Sequence, residues 1–100
     1  MSRMNSWDAV QDKLTRELGE LPAVRAAFLT ADDGRRRRIH FWTLLDQYDE
    51  PTERRLVRLE SDVEHQFAQD VDFAFTTIHL KGRDPWEFIP RDALIVKSPT

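Results

Sequence analysis

The chain of 100 residues contains no cysteine, only three glycines and no long hydrophobic run. Without cysteine, disulfide bonds, thiolate nucleophiles and zinc–thiolate sites are excluded. The three glycines, Gly19, Gly34 and Gly82, are too far apart to form a glycine-rich phosphate-binding loop. No apolar segment approaches the length of a signal-peptide core or a membrane span. We therefore expect a cytoplasmic protein with no membrane association.

The overall composition is that of a globular domain with an acidic balance. Hydrophobic residues make up 40% of the chain and charged residues 33%, and six Phe and three Trp exceed what a disordered chain carries. The length predicts a single domain over residues 1–100, with a core that needs no metal or disulfide to hold it. The formal net charge of -3 is unlike that of most nucleic-acid-binding domains, which are basic, so nucleic acid is not the expected partner.

Two segments have the apolar periodicity of amphipathic helices, because apolar residues recur at three- and four-residue steps. The first helix is predicted from Ser6 to Leu18 and ends at Gly19 and Pro22; the second runs from Asp49 to about Ala68. The predicted buried stripe of the first helix is Trp7, Val10, Leu14, Leu18 and Leu21. That of the second is Leu56, Leu59, Val63 and Phe67, with Val57 at its edge.

Four segments have the composition and alternation of strands. The predicted strands are Ala23–Thr30, Arg35–Asp46, Val71–Leu80 and Ala93–Lys97. The first two form a hairpin around the turn Ala31–Gly34, since Asp33-Gly34 is a favoured hairpin dipeptide. Asp84-Pro85-Trp86-Glu87 opens one short helical turn before the last strand.

The order α-β-β-α-β-β predicts an α+β fold. A helix between the second and third strands makes that pair parallel, so the four-stranded sheet is mixed. Two long helices are too few to cover both faces of such a sheet. We therefore expect a two-layer sandwich with both helices on one face.

The second strand divides its residues between a core face and an uncovered face. The core face takes Ile39, Phe41, Thr43 and Leu45, and the uncovered face takes the candidate binding residues Arg36, Arg38, His40, Trp42 and Leu44. The third strand adds either Asp72, Ala74, Thr76, Ile78 and Leu80 or the alternate set with Phe73 and Phe75. An apolar patch around Trp42 and Leu44 predicts a partner, most simply a homodimer, or otherwise another protein. The alternative is internal cover by the amino-terminal helix or by the carboxy-terminal segment with Trp86 and Phe88.

The chemistry-bearing residues form no catalytic motif, so enzymatic activity is not indicated. Alternate arginines in Arg35–Arg38, together with His40 and Trp42, can hold a phosphate or stack on a base, but arginines beside a turn are also an ordinary solvated surface. A metal site would need His40 and His79 to meet on neighbouring strands, with Asp46 or Asp72 as oxygen donors. The histidines lack the spacing of metal ligands, so no metal or cofactor is expected.

The order of elements from Trp7 to Leu80 resembles the minimal nucleotidyltransferase-like domain, whose bacterial members pair with a helical partner protein in toxin–antitoxin modules. In that family the first strand ends in a Gly-Ser turn and the second carries an Asp-x-Asp pair that binds magnesium. Here the turn reads Leu29-Thr30-Ala31-Asp32-Asp33-Gly34, and the second strand reads Arg38-Ile39-His40-Phe41. Both signatures are missing, so the resemblance implies a degenerate, non-catalytic relative.

Overall fold

A computed structural model describes residues 6–32, 38–67 and 71–99 of the chain. Its elements are α1 (Ser6–Gly19), β1 (Val24–Asp32), β2 (Arg38–Leu45), α2 (Glu50–Phe67), β3 (Asp72–His79), a 3-10 helix (Pro85–Phe88) and β4 (Leu94–Lys97). The predicted α+β class and the order of helices and strands are confirmed. Neither helix in the described part of the chain is long and apolar enough to cross a membrane.

The four strands form one mixed sheet in the order β3-β2-β1-β4. Strand β1 is antiparallel to both β2 and β4, whereas β2 and β3 are parallel because α2 carries the chain back between them. The parallel register pairs Arg38 with Asp72 and Leu45 with His79. Strands β3 and β4 are therefore the two edges of the sheet.

Both long helices pack on one face of the sheet and complete the predicted two-layer sandwich. The main core combines buried residues of α1 and α2 with alternate residues of β1 and β2, among them Val10, Leu14, Leu18, Leu56, Leu59, Val63, Leu29, Ile39, Phe41 and Leu45. Val57, predicted at the edge of the buried stripe, is instead 64% exposed. At about 100° per residue it lies about 120° from the centre of the stripe formed by Leu56, Leu59 and Val63, outside the apolar face.

Polar side chains fix the ends of the two helices. Asp49 caps α2, because its carboxylate accepts hydrogen bonds from the backbone N–H of Thr52, at 3.2 Å, and from the Thr52 hydroxyl. At the other helix, the Lys97 ammonium donates to the carbonyl oxygens of Leu18 (3.2 Å) and Leu21 (2.8 Å). This contact ties the last strand to the carboxy-terminal end of α1, and burial lowers the pKa of Lys97.

The first hairpin strand, β1, extends two residues beyond its predicted end at Thr30, whereas β2 ends at Leu45, one residue before its predicted end. Asp32 pairs with Arg38 and Ala31 with Ile39, so the prediction that the turn begins at Ala31 was wrong. The ladder extends this far because the register that turns Ile39 and Phe41 toward the helices also places Ala31 and Asp32 opposite β2. The expected Asp33-Gly34 turn lies outside the described residues.

Candidate interaction surface

The described candidate residues of β2 alternate along the strand on the sheet face opposite the helices. Their exposure falls steadily along the strand: Arg38 is exposed, His40 and Trp42 are half-buried, and Leu44 is fully buried. Arg36 lies outside the described residues, so its place on this face remains a prediction. The accessible part of this face is therefore the half at the amino-terminal end of β2.

The prediction that Leu44 belongs to an uncovered face was wrong. Leu44 is buried in a second, smaller cluster with Ala26, Phe28 and Leu80. Trp42, Ile78, Phe88, Ile89 and Ala93 pack against this cluster. The segment between β3 and β4 thus covers one end of the second face, as the internal-cover alternative proposed.

Local interactions hold this covering segment in place. The Asp84 side chain accepts a hydrogen bond from the backbone N–H of Trp86 at 3.0 Å, and Pro85 begins the 3-10 turn. The Arg83 guanidinium lies 5.1 Å from the centre of the Phe88 ring and also pairs with Glu87 at 3.2 Å. Phe88 faces the sheet, whereas Trp86, the other residue expected to provide cover, is 48% exposed.

Three parallel rings form the centre of the remaining surface. The His40 and Trp42 ring centres are 3.9 Å apart with an interplanar angle of 11°, and Phe28 lies parallel to the indole at 5.8 Å. The indole N–H donates to the Thr30 hydroxyl at 3.1 Å, and Nε2 of His40 is 2.7 Å from the Thr76 hydroxyl oxygen. Side chains of β1, β2 and β3 therefore hold one another in a single arrangement.

The charge state of His40 follows from its surroundings. Burial, and secondarily the positive charge of Arg38, lower the pKa of His40 from its ordinary value of 6.5. The imidazole is therefore neutral at neutral pH, and Arg38 is the positively charged group beside the stacked rings of His40 and Trp42. A neutral imidazole either accepts the proton of the Thr76 hydroxyl or donates its own to that oxygen, depending on its tautomer.

This geometry bears on the nucleotide-binding alternative. A base stacks on an exposed aromatic face, but the Trp42 indole already has two parallel ring neighbours in His40 and Phe28. Arg38 is the described arginine of the Arg35–Arg38 run, and it is exposed at the start of β2. Nucleotide or nucleic-acid binding by this face remains a prediction.

The helix face of β3 contains exposed aromatic surface that sequence reasoning left undecided. Because Arg38 pairs with Asp72 in the parallel register, Asp72, Ala74, Thr76 and Ile78 share the face of Trp42, and Phe73 and Phe75 share that of the helices. Both phenylalanines are only half-buried. They stack on each other at 6.0 Å, and Phe75 meets Phe41 edge-on at 6.1 Å.

The two strand histidines lie on opposite faces of the sheet, so His40 and His79 do not meet as a metal site would require. His79 instead pairs with Glu53 of α2 at 3.0 Å, beside the exposed Tyr48 ring. The second carboxylate oxygen of Glu53 is buried, with no hydrogen-bond partner among the described residues. No three His, Asp or Glu side chains in the described ranges lie close enough together to hold a metal ion.

Comparison with known proteins assigns the chain to no family. No protein-family model, no curated protein and no solved structure matches the chain.

Proposed function

We propose that this chain is a small cytoplasmic binding or assembly module that self-associates as a homodimer through the β2–β3 side of its sheet. The observation that carries the proposal is that burial decreases across the sheet from β1 to β3. In β1, Ala26, Ala27, Phe28 and Leu29 are all at most 2% exposed, so both of its faces are covered. In β3, every residue is only partly buried.

The incomplete cover extends to both faces of the same strands. On the helix face, the stacked pair Phe73 and Phe75 is half-buried. On the opposite face, Trp42 and His40 are half-buried beside Ala74 and Thr76. Burying a whole phenylalanine side chain contributes about 1.5–3 kcal/mol, so a partner that covers half-exposed rings on both faces gains part of that for each ring. Aromatic residues are also the type enriched in the buried centres of protein interfaces.

The direct test of the proposal is the mass of the chain in solution. Light scattering coupled to gel filtration, at several micromolar loading concentrations, is expected to give twice the 11.8 kDa of one chain. A mass of 11.8 kDa at every concentration, with native circular dichroism, contradicts self-association.

A pair of matched variants locates the contact. Phe73→Asn on β3 is expected to shift the chain toward the monomer, because it removes half-exposed apolar surface at the proposed interface. Ile95→Asn is the control, since Ile95 is an apolar residue on β4, at the opposite edge of the sheet, and is 38% exposed. Equal masses for the two variants and the wild type, with all three folded, exclude Phe73 from the interface.

A further inference from the structure

Strand β3 has the properties of an edge that is open to another strand. It is eight residues long, and no described residue pairs with its outer side in the sheet order β3-β2-β1-β4. A strand at an edge directs about half of its backbone N–H and C=O groups away from its single neighbour. The centre of β3, residues 73–78, is Phe-Ala-Phe-Thr-Thr-Ile, which combines high strand propensity with no charge and no proline.

The opposite edge has the protection that β3 lacks. Strand β4 is only four residues long and ends in Lys97, whose side chain is bound to carbonyls of α1. Short length and lysine are two means by which natural sheets prevent edge-to-edge pairing, along with proline and bulges. No bulge interrupts the pairing of β2 with β3. The two edges of this sheet are thus unequal, and β3 is the one available for pairing.

We infer that two copies of this chain pair β3 with β3 in antiparallel orientation, so that two four-stranded sheets become one continuous sheet. This inference rests on the proposed self-association and specifies where it occurs. Antiparallel pairing of a strand with its own copy is generated by a two-fold axis perpendicular to the sheet, the commonest symmetry of homodimers. Both copies then have their helices on the same side of the joined sheet.

The symmetry restricts the register to few choices. Residues that face each other across an antiparallel pair lie on the same side of the sheet. One residue of β3 must therefore face its own copy, and the two-fold axis lies midway between those two residues. The centre of β3 offers Phe75 or Thr76. If Phe75 faces its own copy, Phe73 faces Thr77 of the second copy. If Thr76 faces its own copy, Phe75 faces Thr77 of the second copy. In the first register Phe75 faces its own copy, and in the second the two Phe75 residues are diagonal neighbours. Both registers place the phenylalanines of the two copies on the helix side of the new junction.

A second copy fits this edge better than an unrelated strand because the edge is complementary to itself. Like charges directly opposite each other destabilise a strand pair, and the six central residues of β3 carry none. Aromatic and β-branched residues form the favourable cross-strand pairs, and this segment contains two phenylalanines, two threonines and an isoleucine. The pairing covers the backbone edge and the half-exposed rings in one step.

Single-cysteine variants test the register directly, since the chain has no cysteine of its own. Ala74→Cys, Phe75→Cys and Thr76→Cys place a thiol near the axis, and Ile95→Cys on β4 is the control. Facing residues have Cα atoms about 4.5–5.5 Å apart, within the range of about 4.4–6.8 Å that a disulfide spans. Under mild oxidation, Phe75→Cys or Thr76→Cys is expected to form a disulfide-linked dimer, and Ile95→Cys is not.

A charged pair of variants separates this inference from self-association itself. Ala74→Lys puts a lysine on the β3 edge and is expected to give a folded monomer, whereas Ile95→Lys on β4 keeps the wild-type mass. If the wild type is a dimer, Ala74→Lys is also a dimer and no β3 cysteine forms a disulfide, the β3 pairing is overturned. Self-association then occurs through another surface. A wild-type monomer overturns both. A dimer with a β3 disulfide, dissociated by Ala74→Lys alone, supports both.

Discussion

Truncation of Leu44 tests whether the second sheet face is covered from within the chain. Leu44 is 0% exposed and packs with Ala26, Phe28 and Leu80 beneath the segment that contains Phe88. Leu44→Ala removes three buried carbon atoms, and substitutions of this kind cost about 2–5 kcal/mol. The lid over this cluster is a short irregular segment that can partly collapse into the space, so we expect about 3 kcal/mol.

The matched control lies on the same face of the sheet. Ile95 pairs with Phe28 but is 38% exposed. Ile95→Ala therefore removes the same number of carbon atoms as Leu44→Ala from a partly solvated site, and it is expected to cost about 1 kcal/mol or less. The free energy of unfolding is measured for both variants by urea denaturation, followed by tryptophan fluorescence and circular dichroism. Both variants are measured at several protein concentrations, because the proposed dimerisation would make apparent stability depend on concentration.

The result that refutes this reasoning is a small effect at Leu44. If Leu44→Ala lies within about 0.5 kcal/mol of the wild type, as exposed substitutions usually do, the residue is not under cover and the original open-face prediction returns. Hydrogen exchange gives a second measure. The backbone amide of Ile89, which donates to the Trp86 carbonyl at 3.4 Å, is expected to exchange faster in Leu44→Ala than in Ile95→Ala.

Three further predictions follow from individual contacts. The pKa of His40 is lowered in the folded state, so the unfolded chain binds the proton first as pH falls through 6.5. The wild type is therefore expected to lose more stability than His40→Gln between about pH 8 and about pH 5, as measured by denaturant titrations. Lys97→Met removes two hydrogen bonds to the end of α1 and is expected to lower the free energy of unfolding by about 1–2 kcal/mol in urea; an unchanged midpoint contradicts the capping role. Thr30→Val removes the acceptor of the Trp42 indole N–H and is expected to cost about 1 kcal/mol and to shift tryptophan emission, whereas Thr15→Val on the exposed side of α1 changes neither.

Local periodicity was sufficient to predict the elements and the main core. The three- and four-residue spacing of Val10, Leu14 and Leu18 identified α1, and two-residue alternation identified Ile39 and Phe41 as the core side of β2. These patterns repeat along a single element, so they need no knowledge of its neighbours. Connection length then gave the parallel pairing of β2 with β3, because a helix lies between them.

The cover over Leu44 could not be predicted in the same way. Phe88, Ile89 and Ala93 belong to a segment with a single short helical turn, which is too short for periodicity to show which side chains are buried. Their contacts with Ala26 and Leu44 are distant in sequence. Sequence reasoning counted the regular elements, found too few to cover both faces and left the choice between a partner and this segment open. The orientation of β3 was equally open, since a shift of one residue exchanges Phe73 and Phe75 with Ala74 and Thr76 between the faces.

The number of helices predicted that part of the sheet is left uncovered, and the structure has such a part. The burial of the strands, however, decreases across the sheet toward β3 and is incomplete on both faces of that strand. The segment after β3 returns across the second face to reach β4, which lies beyond β1, so its side chains cover β1 and the end of β2. Strand β3 is the far edge, and it stays half-covered on both sides. A partner that only lay flat on the Trp42 face would leave Phe73, Phe75 and the open backbone edge exposed. A strand added beside β3 covers all three at once, and for that reason we place the contact at the edge of the sheet.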